Sequence, residues 1–328
     1  MKITMAHGSG GTATSELIDT VFAKAFHNPV LARMEDAAVV PGAGRLAVTT
    51  DSFVVSPLLF PGGDIGRLAV CGTVNDLLMS GAQPQYLTCG FILEEGASLE
   101  ELEKIVHSMA ETAREAGVMI VAGDTKVIEG QGGIYINTAG VGFVPEGRNF
   151  GAVNCSVGDA VLVSGQLGDH HAAIMSARMG IENQIVSDCA PLGDMVNVLL
   201  ASGVQVKAMR DVTRGGLATI LHEFAEASGN SIELEEQRIP VSAAVQGFCG
   251  VLGLDPLYMG NEGKMVAVVD GTDAEKALEC MRNAKYGANA AIIGQVCRRQ
   301  ESAVFMNTAI GGSRIISELF GEGLPRIC

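Results

Sequence analysis

The chain has 328 residues, 48% of them hydrophobic, no Trp and a formal net charge of −15, which gives it the length of two domains and a core of small and aliphatic side chains. That charge excludes nucleic acid as a partner, because no basic run offsets repulsion from phosphate. The longest uncharged stretch, residues 77–93, is broken by Gln83, Pro84 and Gln85, which excludes a membrane span.

In chain order, the loop His7-Gly8-Ser9-Gly10-Gly11 precedes a helix over 12–26, marked by Leu17, Val21, Phe22 and Phe26. Residues 45–50 alternate as a strand that stops at Asp51. Asp64 is placed to cap a helix running to about residue 80. A strand follows over 86–93, then a capping box, Ser98-Leu99-Glu100-Glu101, before an apolar stripe from Leu102 to Ala113 that Gly117 ends. Strands are expected over 118–122 and 134–144. The pattern pauses near 153–159 and restarts with a strand at 160–164, which places a domain boundary there. Beyond it, helices are expected near 171–180, 192–202, 216–227, 241–252 and 274–284. Strands are expected near 204–209, 231–234, 264–269, 291–296 and 303–306. Mixed helices and strands in both halves predict an α/β or α+β protein.

Eight cysteines, at 71, 89, 155, 189, 249, 280, 297 and 328, form no Cys-x-x-Cys pair, so zinc ribbons and thioredoxin-like motifs are absent. The N-terminal residues carry no apolar leader, and a cytoplasmic protein with reduced thiols is expected. Cys328 stands apart. It ends a segment, Phe320 to Cys328, with two glycines for mobility and Pro325 to forbid helix, so it reads as a thiol on a tether.

No P-loop and no dinucleotide fingerprint occur. Glycine is abundant instead, 42 residues against a usual share of about 7%, and Gly10 and Gly11 sit where free amides at a helix start bind an anion. Asp51, Asp124 and Asp211 each lie just past an expected strand with Ser or Thr nearby, Thr125 and Thr213 among them; ligands bind at that edge of open α/β sheets. Asp76 shares a helix face with Ile65, Ala69 and Gly72, so its carboxylate points inward and needs a cation or partner. With Glu35-Asp36, these acids favour Mg²⁺ carrying a polyphosphate. Lys126, Arg214 and the Asn261-Glu262-Gly263-Lys264 run complete a phosphoryl-transfer site in which Glu262 is a candidate base. His170-His171 reads as a loop or helix-start feature rather than a metal site.

Taken together, Ala6 to Gly11, Thr50-Asp51-Ser52, Asn75-Asp76, Gly90 to Gly96, Gly123-Asp124-Thr125-Lys126-Val127, Asp211 to Gly216, Asn261 to Lys264 and the ending Pro325-Arg326-Ile327-Cys328 resemble the HypE family of hydrogenase maturation factors. That family lies within the AIR synthase and selenophosphate synthetase superfamily. The resemblance implies an α+β, two-domain PurM-like fold: residues 1–155 bind ATP and pair across a homodimer, 156–318 form a C-terminal α/β sandwich, and 319–328 are a tail carrying Cys328. It implies that a HypF-type carbamoyltransferase loads Cys328, that ATP drives dehydration of the carbamoyl group to a thiocyanate, and that the cyano group passes to a HypC–HypD iron scaffold. Asp36, Asp51, Asp76 and Asp211 would hold Mg²⁺. Asp124 would lie near them, Lys126 would stabilise the phosphorylated intermediate, and Glu262 would take the nitrogen protons. Glu35 departs from the second Asp that many relatives carry. A selenophosphate-synthetase-like kinase and a non-enzymatic scaffold remain as alternatives.

Overall fold

Asp64 opens the first long helix as its position predicts: Oδ1 accepts from the amides of Gly66 and Arg67 at 2.7 and 3.0 Å, satisfying donors that a helix start leaves free. The computed structural model describes residues 2–8, 12–34, 37–38 and 40–318. Its first half contains α1 (Thr12–Leu17), which continues into a wider π-helical stretch at Ile18–Ala23, then β1 (Leu46–Phe53), β2 (Leu59–Phe60), β3 (Gly63–Asp64), α2 (Ile65–Met79), β4 (Gln83–Glu94), α3 (Leu99–Ala116), β5 (Met119–Ile128) and β6 (Ile134–Phe143). The second half contains β7 (Ala160–Val163), α4 (Asp169–Met179), α5 (Gly193–Ala201), β8 (Val206–Asp211), α6 (Gly216–Ser228), β9 (Ser231–Glu235), α7 (Ala243–Leu252), β10 (Met265–Val269), α8 (Ala274–Asn283), β11 (Ala291–Cys297), β12 (Val304–Asn307) and β13 (Ser313–Ile315). The fold is α+β, and among the described residues no helix is long and apolar enough to cross a membrane.

Two strand ends differ from expectation. β1 and β5 run on through Asp51 and Asp124, which pair with Thr138 and Gly90, and only Asp211 is a strand's final residue. Both acids sit on edge strands, where one free side tolerates a charge that turn propensity would otherwise place in a loop.

The first sheet has the order β1-β6-β4-β5. One face packs Leu87, Cys89, Phe91 and Leu93 against Val70, Val74 and Met109 of α2 and α3. The other face presents Leu46, Val48, Ile92, Met119 and Ile128, each 38–71% exposed, an apolar area that solvent does not favour. The second sheet has the order β13-β12-β9-β11-β7-β10-β8. Val161, Val163, Val266 and Val268 face α6, while Leu162, Met265, Ala267 and Val269 face α4, α5 and α8 in an apolar cluster that continues unbroken into α2 and α3.

A polar clamp also joins the halves. Arg67 on α2 donates to Glu115 of α3 at 3.1 Å, to the Cys189 carbonyl at 2.9 Å and to Tyr286 at 3.3 Å. Glu115 further meets Lys285 at 2.5 Å and the Tyr286 hydroxyl. Burial pushes the Glu115 carboxyl up, but hydrogen bonds from Lys285, Tyr286 and Arg67 outweigh it and hold it at about 2. A depressed carboxylate adds stability above the ordinary value of 4.5, and that contribution disappears as pH falls toward 2. Glu115→Gln is therefore expected to unfold at lower urea than wild type at pH 6, with most of the gap gone as pH falls toward 2. A gap that is undiminished at pH 2.5 would contradict this assignment.

Candidate active site

Helix α2 lies close to β1 because position 72 has no side chain: a Cβ at Gly72 would meet the Phe53 ring at 2.9 Å and stand 3.8 Å from Asp51 Oδ2. One turn later Asp76, half-buried, accepts from Thr49 Oγ1 at 2.7 Å. Asp211 arrives from the end of β8, which packs beside α2. Three carboxylates from three elements thus share one region, and their charges oppose each other. Burial pushes Asp76 up, the Thr49 hydrogen bond recovers part of that, and Asp51 adds repulsion. Burial, then Asp76 and Asp51, push Asp211 up to about 7.

Glu262 belongs to the same region. Its carboxyl is buried and held well above the usual range, by burial first and then by Cys189, Asp211, Asp188 and Asp51. A cation arriving at the three aspartates would cancel much of this repulsion and make Glu262 a better proton acceptor. Among the described residues no three His, Cys, Asp or Glu side chains converge as a ready metal cage.

The loop after β8 is laced to the 261–264 turn: Val212 donates to the Lys264 carbonyl at 2.8 Å and Asn261 to the Val212 carbonyl at 2.9 Å. The Asn261 amide is used within the protein, accepting from Gly168 at 2.8 Å and donating to the Val212 and Met259 carbonyls at 3.1 Å, so it shapes the turn that carries Glu262. Thr213 is half-buried and Arg214 exposed at the start of α6. Gly216 there has φ +65° and no room for a Cβ, which would fall 2.5 Å from the Tyr258 backbone.

Asp124 and Lys126 are placed elsewhere. They pair with each other at 2.7 Å on β5, both exposed. Asp51 lies on β1 at the opposite edge, three strand spacings or roughly 14 Å away, and faces α2, whereas Asp124 faces the open side. Within one chain these two groups do not meet. Asp124, Thr125 and Lys126 rim a cavity of about 310 Å³ whose apolar wall includes Ile18, Phe22 and Phe91. Gly10, Gly11, Asp36 and Cys328 lie outside the described residues.

His170 and His171 fall in the first turn of α4, both buried, with His170 Nδ1 2.8 Å from Ser187 Oγ. Burial pushes each down to about 4, so both are neutral. Sequence reading missed Asp188, which accepts from the Glu262 amide at 3.1 Å and pairs with Lys264 at 3.1 Å. A lone acid in the aperiodic run Ser187-Asp188-Cys189-Ala190-Pro191 carries no sequence signal for such a long-range bond.

Comparison with known proteins gives the family. Residues 34–144 match the N-terminal domain of AIR synthase related proteins and residues 156–307 their C-terminal domain. The carbamoyl dehydratase HypE of Rhodobacter capsulatus is 47% identical, covering 100% of this chain and 98% of that protein. The carbamoyl dehydratase HypE of Escherichia coli is 48% identical, covering 100% and 99%. A crystal structure of hydrogenase maturation protein HypE in complex with ATP superposes with a TM-score of 0.95 at 45% identity, covering 99% of each chain. A HypE–HypF complex superposes with a TM-score of 0.81 at 50% identity, covering 92% of this chain and 99% of that one. With matching domains at both ends of the molecule and near-complete coverage at almost half identity, the chain belongs to the carbamoyl dehydratase HypE family.

Proposed function

We propose that this chain uses ATP to dehydrate a carbamoyl group carried on the Cys328 sulfur to an S-cyanide, supplying cyanide ligands for nickel–iron hydrogenase. The observation that carries this reading is the meeting of Asp51, Asp76, Asp211 and Glu262, where burial and then mutual repulsion push Asp76, Asp211 and Glu262 up, a penalty that a bound cation would relieve. A carboxamide oxygen is a poor leaving group. Transfer of the γ-phosphoryl to that oxygen makes it phosphate, the carbon–oxygen bond then breaks, and the nitrogen gives up both protons as the triple bond forms. ADP and phosphate leave.

In this reading Asp51, Asp76 and Asp211, joined by Asp36, hold Mg²⁺ with the triphosphate. Mg²⁺ supplies charge neutralisation for the phosphoryl group in flight. Gly10, Gly11, Thr125, Thr213 and Arg214 contact the nucleotide, Asn261 holds the turn, and Glu262 accepts protons from nitrogen. Lys126 neutralises the phosphorylated oxygen, and a second copy of the chain delivers it. The open apolar face of the first sheet favours such a homodimer, since pairing buries Leu46, Val48, Ile92, Met119 and Ile128 and carries the Asp124–Lys126 edge of one protomer toward the acids of the other.

Residues 1–155 then bind nucleotide and the second copy, 156–318 supply Asp211 and Glu262, and 319–328 bring the thiol. A HypF-type carbamoyltransferase loads Cys328, and a HypC–HypD iron scaffold receives the product. The test is to incubate the protein with its carbamoylating partner, ATP and Mg²⁺ and weigh the C-terminal peptide. Carbamoylation followed by loss of one water is expected. A peptide that stays carbamoylated under proven loading and ATP binding would rule out dehydration.

A further inference from the structure

The segment 187–192 has no helix or strand, yet it is tied on both sides. Toward the first half, Ser187 donates to the Pro61 carbonyl at 2.7 Å, Arg67 donates to the Cys189 carbonyl at 2.9 Å, and Asn75 clasps the Ala190 carbonyl at 3.1 Å and the Leu192 amide at 2.9 Å. Toward the second half, Asp188 Oδ1 accepts from the Glu262 amide at 3.1 Å, and Oδ2 lies 3.1 Å from Lys264 Nζ. The Asp188 side chain is 3% exposed and that of Lys264 is 10% exposed. Gly263 presses on the same segment so tightly that a Cβ there would fall 1.9 Å from the Asp188 carbonyl.

Burying an ion pair is a poor way to gain stability, because desolvation offsets the attraction. The Lys264 contact is also off the line of a hydrogen bond, which leaves Oδ2 without one. What the arrangement does fix is direction. Segment 187–192 holds the Glu262 backbone at both ends, its amide donating to Asp188 at 3.1 Å and its carbonyl accepting from Ala190 at 3.4 Å, while the loop after β8 holds the neighbouring Asn261 and Lys264. Asp188 is itself anchored through its neighbours to α2, the helix that carries Asp76.

We infer that Asp188 is a positioning residue for dehydration: by gripping the Glu262 amide and the Lys264 ammonium, it aims the Glu262 carboxyl at the acids on α2 and β8. This rests on the reading of Glu262 as the proton acceptor. The dehydration step needs that carboxyl within reach of nitrogen, and a rotation of the 261–264 turn would remove it without disturbing ATP.

The test is single-turnover dehydration in the full-length dimer, read by the mass of the carbamoylated C-terminal peptide, with ATP affinity measured in parallel. Asp188→Ala is expected to slow dehydration by roughly 10–100-fold, the usual range for a residue that orients another, with ATP affinity changed less than about twofold. Asp188→Asn keeps an acceptor for the Glu262 amide and loses the charge facing Lys264, so it should fall between Ala and wild type; it also serves if the Ala variant is unstable. On a Glu262→Gln background, Asp188→Ala should cost almost nothing further, because its effect runs through a carboxyl no longer present. Full loss added on that background, or a wild-type rate in a soluble, ATP-binding Asp188 variant alongside a slow Glu262→Gln, overturns the role of Asp188 alone. A wild-type rate in Glu262→Gln overturns the proton-acceptor reading and this inference with it.

Discussion

Asp211→Asn is expected to weaken Mg²⁺–ATP binding by roughly 100-fold or more, while the ligand-free chain becomes more resistant to heat. On the proposed reading Asp211 is a charged metal ligand, and removing one should exceed the 10–100-fold typical of supporting groups. The gain in stability follows from the repulsion at the site. Asp211 is held at about 7 against an ordinary 3.8, so its charged form is disfavoured in the folded chain. The penalty is absent below 3.8, grows as pH rises, and is complete above 7. Asn has nearly the same shape and no charge to repel Asp76 and Asp51. Melting curves should therefore show the wild type losing stability across that window while the variant changes less. Asp76→Asn should move both properties the same way with a smaller thermal gain, because the Thr49 hydrogen bond already offsets part of its repulsion. Unchanged ATP affinity in Asp211→Asn would contradict the proposed metal role, and a lower melting temperature would contradict the repulsion. An active site that costs its own fold stability is a common trade.

Cys328→Ala should abolish formation of the cyanated product and leave ATP binding intact. Most internal thiols are buried away from any partner that could load them. The seven cysteines within the described residues are free thiols, five of them buried; burial pushes Cys249 to about 11 and Cys155 to about 12, and Cys89 well up. A thiol is nucleophilic only as the thiolate, so burial disfavours the reactive form of Cys89, Cys155 and Cys249 at neutral pH. Mass spectrometry of the whole chain after loading checks the outcome. A carbamoyl or cyano adduct on any internal cysteine of the variant, or loss of ATP binding, would contradict a separate carrier arm.

Asp76 was legible because two local signals agreed: a capped helix and a face shared with Ile65, Ala69 and Gly72. The alternating and 3.6-residue patterns likewise located most strands and helices to within a few residues. Asp51 and Asp124 looked alike in sequence, each an acid after an apolar run, yet one faces α2 and the other the open side of the sheet. Face and edge are set by register, and register by pairing with β6 and β4, which no local window contains. The same holds for Asn261, whose amide bonds to residues 49 and 93 positions away. The three-residue strand β13 was missed because Ser313–Ile315 is exposed throughout and has no buried face to leave an alternation.

The apolar cluster that runs from α2 and α3 into α4, α5 and α8 has a practical consequence for dissecting this molecule. Cutting the chain near residue 150 and producing each piece alone would uncover apolar surface of this cluster where α2 packs against α5 and β8. Each fragment should aggregate when made singly, and the two should recover a native-like product only when co-expressed.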